Sequence, residues 1–229
     1  SLHDALPILV QTSGTKIVAA SAGPETFTMP GNFTAGNSAV VTLSHFLTAG
    51  TAVASVTIGG TAATLDLQYD FGGGTQEIEV WKADNIAGGT PNFVVTYGGG
   101  TSNYLDCGCE EWLPIAGVDT GTNNTATGTS SAPSVATAVP TTQTLDVVYG
   151  VMAFTDAATP TVTPPSSPWV QSWENENGST QVPGSGAYLE TSSTGTQTAT
   201  WGTSVSVTWF AAIIAYKFRL PTYLAWVKA

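Results

Sequence analysis

Two glutamates in one short segment have the spacing of an acid–base pair. Glu77 and Glu79 alternate with Ile78 and Val80, so on a β-strand both carboxylates would point to the same face. Two carboxylates that flank one bond are the arrangement that glycoside hydrolysis needs. The same alternation also describes an ordinary strand whose polar side chains share a solvated face. We therefore predict no catalytic residue, and a sandwich-fold glycoside hydrolase is a less favoured alternative.

A second candidate site flanks the glycine-rich stretch 71–75. Asp66 and Asp70 precede this stretch, and Glu77 follows it. Calcium prefers several hard oxygen ligands, which turns between strands can supply. These three carboxylates therefore form a candidate calcium site, and no cofactor other than calcium is predicted.

A third candidate is a cluster of aromatic and polar residues in a segment that reads as a loop. Its members are Trp169, Trp173, Glu174, Asn175, Glu176 and Asn177. Indole rings can stack on the apolar faces of sugars while carboxylate and amide groups bind the hydroxyl groups. This segment is therefore the candidate glycan-binding site. The alternative is that one of the tryptophans caps the core, because an indole buries a large apolar area.

The cysteines and the histidine of this sequence are expected to be buried. Cys107 and Cys109 lie two apart on a predicted strand, so their side chains share a face. A disulfide between them would not fit strand geometry, which favours two small buried thiols. His45 alternates with Val41 and Leu43 in an apolar strand. We expect a buried, hydrogen-bonded or interfacial imidazole there rather than a catalytic base.

The elements that would position these residues are short β-strands. Leu65, Leu67 and Tyr69 alternate with polar residues and predict one apolar strand face. Similar segments recur along the chain, and glycine clusters such as Gly59-Gly60 separate them, as is typical of turns. No segment shows the 3.6-residue period of a helix. The pattern predicts an all-β protein, an antiparallel β-sandwich of jelly-roll type.

We predict a single β-sandwich domain over residues 9–218 without a repeat of fixed period. The stretch 115–133 is rich in Gly, Thr, Asn and Ser, and is predicted to be a long loop of that domain. Residues 1–8 resemble the translation of a common sequencing adapter and are predicted to be non-native. Residues 219–229, where basic residues gather, are predicted to be a C-terminal extension.

Composition excludes two classes of partner. Only 9% of the residues are charged, threonine occupies 37 positions, and the formal net charge is −11. An acidic surface of this kind repels phosphate backbones, so we predict no nucleic-acid partner. The longest apolar run, from Trp209 to Tyr216, has eight residues, whereas a membrane-spanning helix needs about 20. We therefore predict no membrane span.

The order of several segments resembles a loosely defined group of jelly-roll β-sandwich domains, distantly similar to concanavalin-type modules. The similar segments are Val40-Val41, Val56–Gly60, Glu79–Gly89, Phe93–Tyr97, Glu110–Trp112, Thr142–Tyr149 and Ala211–Phe218. Such domains occur in phage virion and tail proteins and in secreted bacterial surface proteins. The resemblance implies a non-enzymatic structural or adhesion protein located outside the cell, at a cell surface or in a virion. Its partners would be copies of itself or another surface or virion protein. The alternative is a carbohydrate-binding module, with glycans as partners.

Overall fold

The described part of the chain is built of β-strands. A computed structural model describes residues 8–47, 52–71, 73, 75–99, 103–155, 159–176 and 183–218. Residues 1–7 and 219–229, which belong to the two predicted terminal segments, lie outside these ranges, as does Asn177. The described residues contain no helix, and hence none with the length and apolar character to cross a membrane.

The strands of the described residues fall into two groups of ten along the chain. The first group is β1 (Leu9–Thr12), β2 (Lys16–Ser21), β3 (Glu25–Thr28), β4 (Ser38–Phe46), β5 (Val53–Ile58), β6 (Thr61–Ala62), β7 (Thr64–Asp70), β8 (Gln76–Ala83), β9 (Asn92–Tyr97) and β10 (Asn103–Trp112). The second group is β11 (Ile115–Val118), β12 (Asn124–Ser130), β13 (Ser134–Ala136), β14 (Asp146–Phe154), β15 (Val162–Thr163), β16 (Val170–Asn175), β17 (Gly184–Glu190), β18 (Thr198–Thr200), β19 (Gly202–Thr203) and β20 (Val207–Phe218). Every pairing is antiparallel. The predicted all-β antiparallel sandwich is confirmed, whereas its jelly-roll connectivity stays a prediction.

Each group of ten strands forms a sandwich of its own. In the first module, the sheet β10-β4-β8-β7, with β1 and β2 along β10, is covered by the sheet β3-β9-β5-β6. In the second module, the sheet β20-β14-β17-β16, with β11 and β12 along β20, is covered by the pairs β13-β18 and β15-β19. Each module has a core between its own sheets. A third cluster of apolar residues lies between the modules.

The expectation of a long loop at 115–133 is wrong, whereas the single domain over residues 9–218 stays a prediction. Strands β11 and β12 occupy much of that stretch, and both pair with β20. The stretch has few large apolar residues, so its side chains gave little sign of strands. The apolar strand β20 supplies the hydrogen-bonding partner for both β11 and β12. Thr127 Oγ1, for example, also donates a hydrogen bond to the carbonyl oxygen of Trp209 at 2.8 Å.

The two modules repeat each other in register, which the sequence did not predict. The pairs Leu65–Trp81 and Leu67–Val80 flank a bulge at Asp66, and the pairs Gln171–Ala187 and Trp173–Gly186 flank a bulge at Ser172. Each of these residues on β7 and β8 stands 106 positions before its counterpart on β16 or β17 (65 to 171, 81 to 187). The order of the four main strands is also the same.

The bulge at Asp66 corrects the predicted strand face. A bulge adds one residue to one strand, so the side chains on either side of it point to opposite faces. Leu67 and Tyr69 pack between the modules, but Leu65 is 37% exposed on the other side of the sheet. The predicted common face of Leu65, Leu67 and Tyr69 therefore holds only for the last two.

Trp173 fits into the interface between the modules because two facing residues are glycines. A Cβ atom on Gly186 would lie 2.2 Å from Trp173 Nε1, and one on Gly108 would lie 2.7 Å from Trp173 Cδ1. The indole Nε1 donates a hydrogen bond to Thr42 Oγ1 of the first module at 2.8 Å. Trp173 of the second module thus lies against the central sheet of the first.

A buried carboxyl group lies at the same interface. Ser172 and Thr12 donate hydrogen bonds to Oε1 of Glu110, whose side chain is fully buried. Burial raises the pKa of Glu110 to about 7, against the opposing effect of these two hydrogen bonds. The ionisable groups beside it, Tyr149 and Tyr188, also have raised pKa values and stay neutral near pH 7.

Substitution of Gly186 by alanine should destabilise the fold because the new methyl group would overlap the indole of Trp173. Overpacking of this kind costs about 1–3 kcal/mol of unfolding free energy. The measurement is denaturant unfolding followed by tryptophan fluorescence. Gly117→Ala is the matched control, since a Cβ atom on this strand glycine meets nothing within 4 Å. Equal stabilities for the two variants would contradict the described position of Trp173.

Substitution of Glu110 by glutamine should flatten the pH dependence of stability. Between its ordinary pKa of 4.5 and its folded value of about 7, Glu110 binds more protons in the folded than in the unfolded state. Stability is therefore lost as pH rises through this window, by about 3 kcal/mol at most. Glutamine mimics the protonated carboxyl group and removes that loss.

The test of the Glu110 prediction is denaturant unfolding at pH 5 and pH 8. Glu110→Gln should gain stability over the wild type at pH 8 and differ little from it at pH 5. Glu25→Gln, which removes the same charge from the rim of the first module, should keep the wild-type slope. A wild-type slope in Glu110→Gln would show that this carboxyl group ionises freely in the folded state.

Candidate metal centre

One imidazole and two carboxylates meet on adjacent strands of the first module. His45 on β4 lies directly opposite Glu77 on β8, and Glu79 follows two residues later on the same face. His45 Nε2 lies 3.1 Å from Glu79 Oε1 and 3.7 Å from Glu77 Oε2. One ligand atom from each of the three residues lies within 4.8 Å of the other two. We call this group the His–Glu–Glu cluster.

The cluster is buried beneath the edge of its sheet. The His45 and Glu79 side chains are fully buried, and that of Glu77 is 4% exposed. Glu79 accepts hydrogen bonds from His45 and from the indole of Trp81, and Glu77 accepts one from Gln68 on the edge strand β7. His45 Nδ1 is buried without a hydrogen-bond partner among the described residues.

The charge of the cluster is weakly compensated. Burial raises the pKa of Glu77, the nearby charges of Glu79 and Asp70 raise it further, and Gln68 and His45 act in the opposite direction. Of the three lysines in the described part of the chain, Lys82 pairs with Asp84, Lys217 pairs with Asp119, and Lys16 lies on β2 opposite Cys107, so none forms an ion pair with the cluster. The described residues thus supply no lysine to balance the two carboxylates, and a bound cation would do so.

The structure brings together part of the predicted calcium site and separates the rest. Asp70 lies opposite Glu77 across the β7–β8 pair, beside the cluster. Asp66 is the bulge residue, and its carboxyl group faces the Tyr216 hydroxyl group of the second module. The three residues predicted as calcium ligands therefore do not form one site, because the bulge points Asp66 to the opposite side of the sheet.

The predicted glycan site is likewise divided. Trp173 is 1% exposed and Asn175 is 5% exposed, and Asn175 Nδ2 donates a hydrogen bond to Asp106 Oδ2 at 2.8 Å. Both residues face the first module, so neither is available to a sugar, and the expectation is wrong for them. Trp173 instead fulfils the alternative in which a tryptophan fills the core.

The other members of the predicted glycan site remain near the surface. Trp169 is partly buried, and its Nε1 donates a hydrogen bond to the Thr198 carbonyl oxygen at 3.0 Å. Glu174 and Glu176 lie at the end of β16, where Glu176 Oε1 accepts a hydrogen bond from the Val162 amide at 2.6 Å. Burial and the neighbouring Glu176 raise the pKa of Glu174, while a hydrogen bond from Gln171 lowers it.

The expectations for the cysteines and for His45 are confirmed. Cys107 and Cys109 are free thiols, fully buried in the core of the first module. Burial raises the pKa of both thiols well above the ordinary value, with Asp106 and Glu110 as further causes. His45 is buried and hydrogen-bonded, but its carboxylate partners were not predicted. The two-residue alternation of Glu77 and Glu79 was a visible signal, while the opposing strand that supplies the histidine was not.

The second module shows what the fold requires at these positions. The register equates His45 with Phe154, Glu77 with Pro183 and Glu79 with Ser185. Phe154 is fully buried in the core of the second module. The same sandwich is therefore built without a histidine and without either glutamate.

No family model, no curated protein and no solved structure matches this chain. Function is therefore inferred from the geometry of the described residues.

Proposed function

We propose that this chain is a structural or adhesion protein of an extracellular, cell or virion surface, which acts by assembly with copies of itself. The observation that carries the proposal is the association of the two modules within the chain. Equivalent faces of the two central sheets pack against each other. Trp112 and Gly108 lie on this face in the first module, and their counterparts Tyr216 and Ala212 lie on it in the second. One sandwich module thus binds a second module of the same fold through the face of its central sheet.

An outer face of the first module offers a second surface suited to such contacts. The solvent-facing residues of β3, β9 and β5 are short and uncharged: Thr26, Thr28, Ser55, Thr57, Asn92, Val94 and Thr96. The one charged residue of these strands, Glu25, shares the inward-facing side with Phe27. The central residues of protein interfaces are depleted of charge, because burying an unpaired charge is costly. We assign this face to contact with a second copy of the chain.

A lysine in the middle of this face should break the assembly. The experiment measures the solution mass of the full chain by light scattering over a concentration series. We expect a multiple of 23.5 kDa for the wild type and 23.5 kDa for Val94→Lys. Ser206→Lys, in the exposed loop before β20, is the control and should assemble like the wild type.

The outcomes separate the proposal from its alternatives. A wild-type monomer at every concentration would overturn self-assembly and leave a different surface protein as the partner. Assembly that survives Val94→Lys would exclude this face as the contact.

A carbohydrate-binding module is the second candidate, and the partly exposed Trp169 favours it. Trp169 and Glu174 are both partly exposed, so one aromatic and one acidic group of the predicted site remain accessible. Trp169→Ala should abolish retention on a glycan affinity gel while preserving the fold. Gln171→Ala, a substitution of an exposed residue on the same strand, is the control. Unchanged retention of Trp169→Ala, or no retention of the wild type on any glycan, would end this alternative.

A further inference from the structure

We propose that the His–Glu–Glu cluster binds one divalent first-row transition-metal ion, with His45, Glu77 and Glu79 as protein ligands. One imidazole and two carboxylates form a donor set typical of zinc, manganese and ferrous iron, whereas calcium sites use oxygen donors. The ligand atoms already lie within 4.8 Å of one another on two paired strands. The inference is independent of the proposed assembly function.

The comparison between the modules argues that the cluster is not there for stability. The second module builds the same sheet with Phe154, Pro183 and Ser185 in the equivalent positions. In the first module, two buried carboxylates lie together beside His45 Nε2, and the other imidazole nitrogen, Nδ1, has no hydrogen-bond partner among the described residues. An unsatisfied buried polar group destabilises the fold, and unpaired buried charges do so more strongly. A divalent cation would compensate the carboxylates that no described lysine neutralises.

The surroundings provide both support and an entrance. Trp81 Nε1 donates a hydrogen bond to Glu79 and fixes the orientation of that carboxylate, as groups around metal ligands commonly do. Gln68, on the exposed edge strand β7, donates a hydrogen bond to Glu77. Rotation of the Gln68 side chain would open the cluster to solvent. Asp70, exposed and opposite Glu77, is placed to attract the cation to this edge.

The test is calorimetric titration of the full, untagged chain with zinc chloride after treatment with EDTA and removal of the chelator. We expect one Zn²⁺ ion per chain. Loss of a ligand should weaken binding by about 100-fold or more, at least as much as the loss of a supporting residue around a metal. His45→Phe is the chosen variant because phenylalanine occupies the equivalent position in the second module. His3→Ala, which removes the other histidine of the chain, is the control and should bind like the wild type.

Two further measurements make the test decisive. Cobalt chloride should give a visible ligand-field spectrum in the wild type that is absent in His45→Phe. Excess calcium chloride should leave zinc binding unchanged. If circular dichroism shows that His45→Phe is unfolded, Glu77→Gln replaces it, with the same expected loss of affinity.

Several outcomes would overturn the inference. These are an absence of stoichiometric binding in the wild type, equal affinity in the folded ligand variant, and displacement of zinc by calcium. The first would leave a hydrogen-bonded cluster without a metal, and the last would favour an oxygen site built on Asp70 and Glu77. The solution mass measured for the assembly proposal does not depend on any of these results.

Discussion

Burial of one sheet face of each module against the other is the interaction on which the rest of the structure depends. The face that β14 and β20 present to the first module carries Val147, Tyr149, Phe210 and Ile214, all fully buried. Burial of apolar area contributes about 25 cal/mol per Å², and these side chains would all be exposed if the modules separated. The two central sheets therefore have no solvated face, and solvent meets the edges and the outer sheets. The exposed threonines and serines of the outer sheets follow from that division.

Polar contacts within this apolar interface align the two modules. Trp173 reaches Thr42, Ser172 reaches Glu110 and Asn175 reaches Asp106. All three donors lie on the edge strand β16 of the second module, and all three acceptors lie on β4 or β10 of the first. Because a buried polar group without its partner is costly, a shift of one module along the other would break these pairs together. Apolar burial thus drives the association, and the hydrogen bonds of β16 define its register.

Much of the fold, but little of the site, was predictable from the sequence. Alternating residues and glycine turns correctly predicted antiparallel strands, and the spacing of Cys107 and Cys109 correctly predicted two buried thiols on one face. The bulges could not be predicted, since one extra residue leaves the local alternation intact while it reverses the faces beyond it. The alternation therefore groups Asp66 with Asp70 and Glu77 in one predicted calcium site, which the bulge divides. The bulge at Ser172 likewise turns Trp173 inward, where the sequence predicts a surface residue. The duplication was hidden because equivalent residues differ in kind, such as Leu67 and Trp173, or Glu110 and Ile214.

This divergence is itself informative, because one module serves as an internal reference for the other. Positions where both modules carry apolar residues, such as Leu43 and Met152, reflect what the sandwich needs to fold. Where a buried ionisable residue in one module corresponds to a residue without an ionisable side chain in the other, the ionisable group is not required by the fold. At Glu110 the ionisable group is explained by its partner Ser172 across the interface. At His45, Glu77 and Glu79 the partners all belong to the same module, so contact between the modules does not account for them. A ligand for these three side chains does.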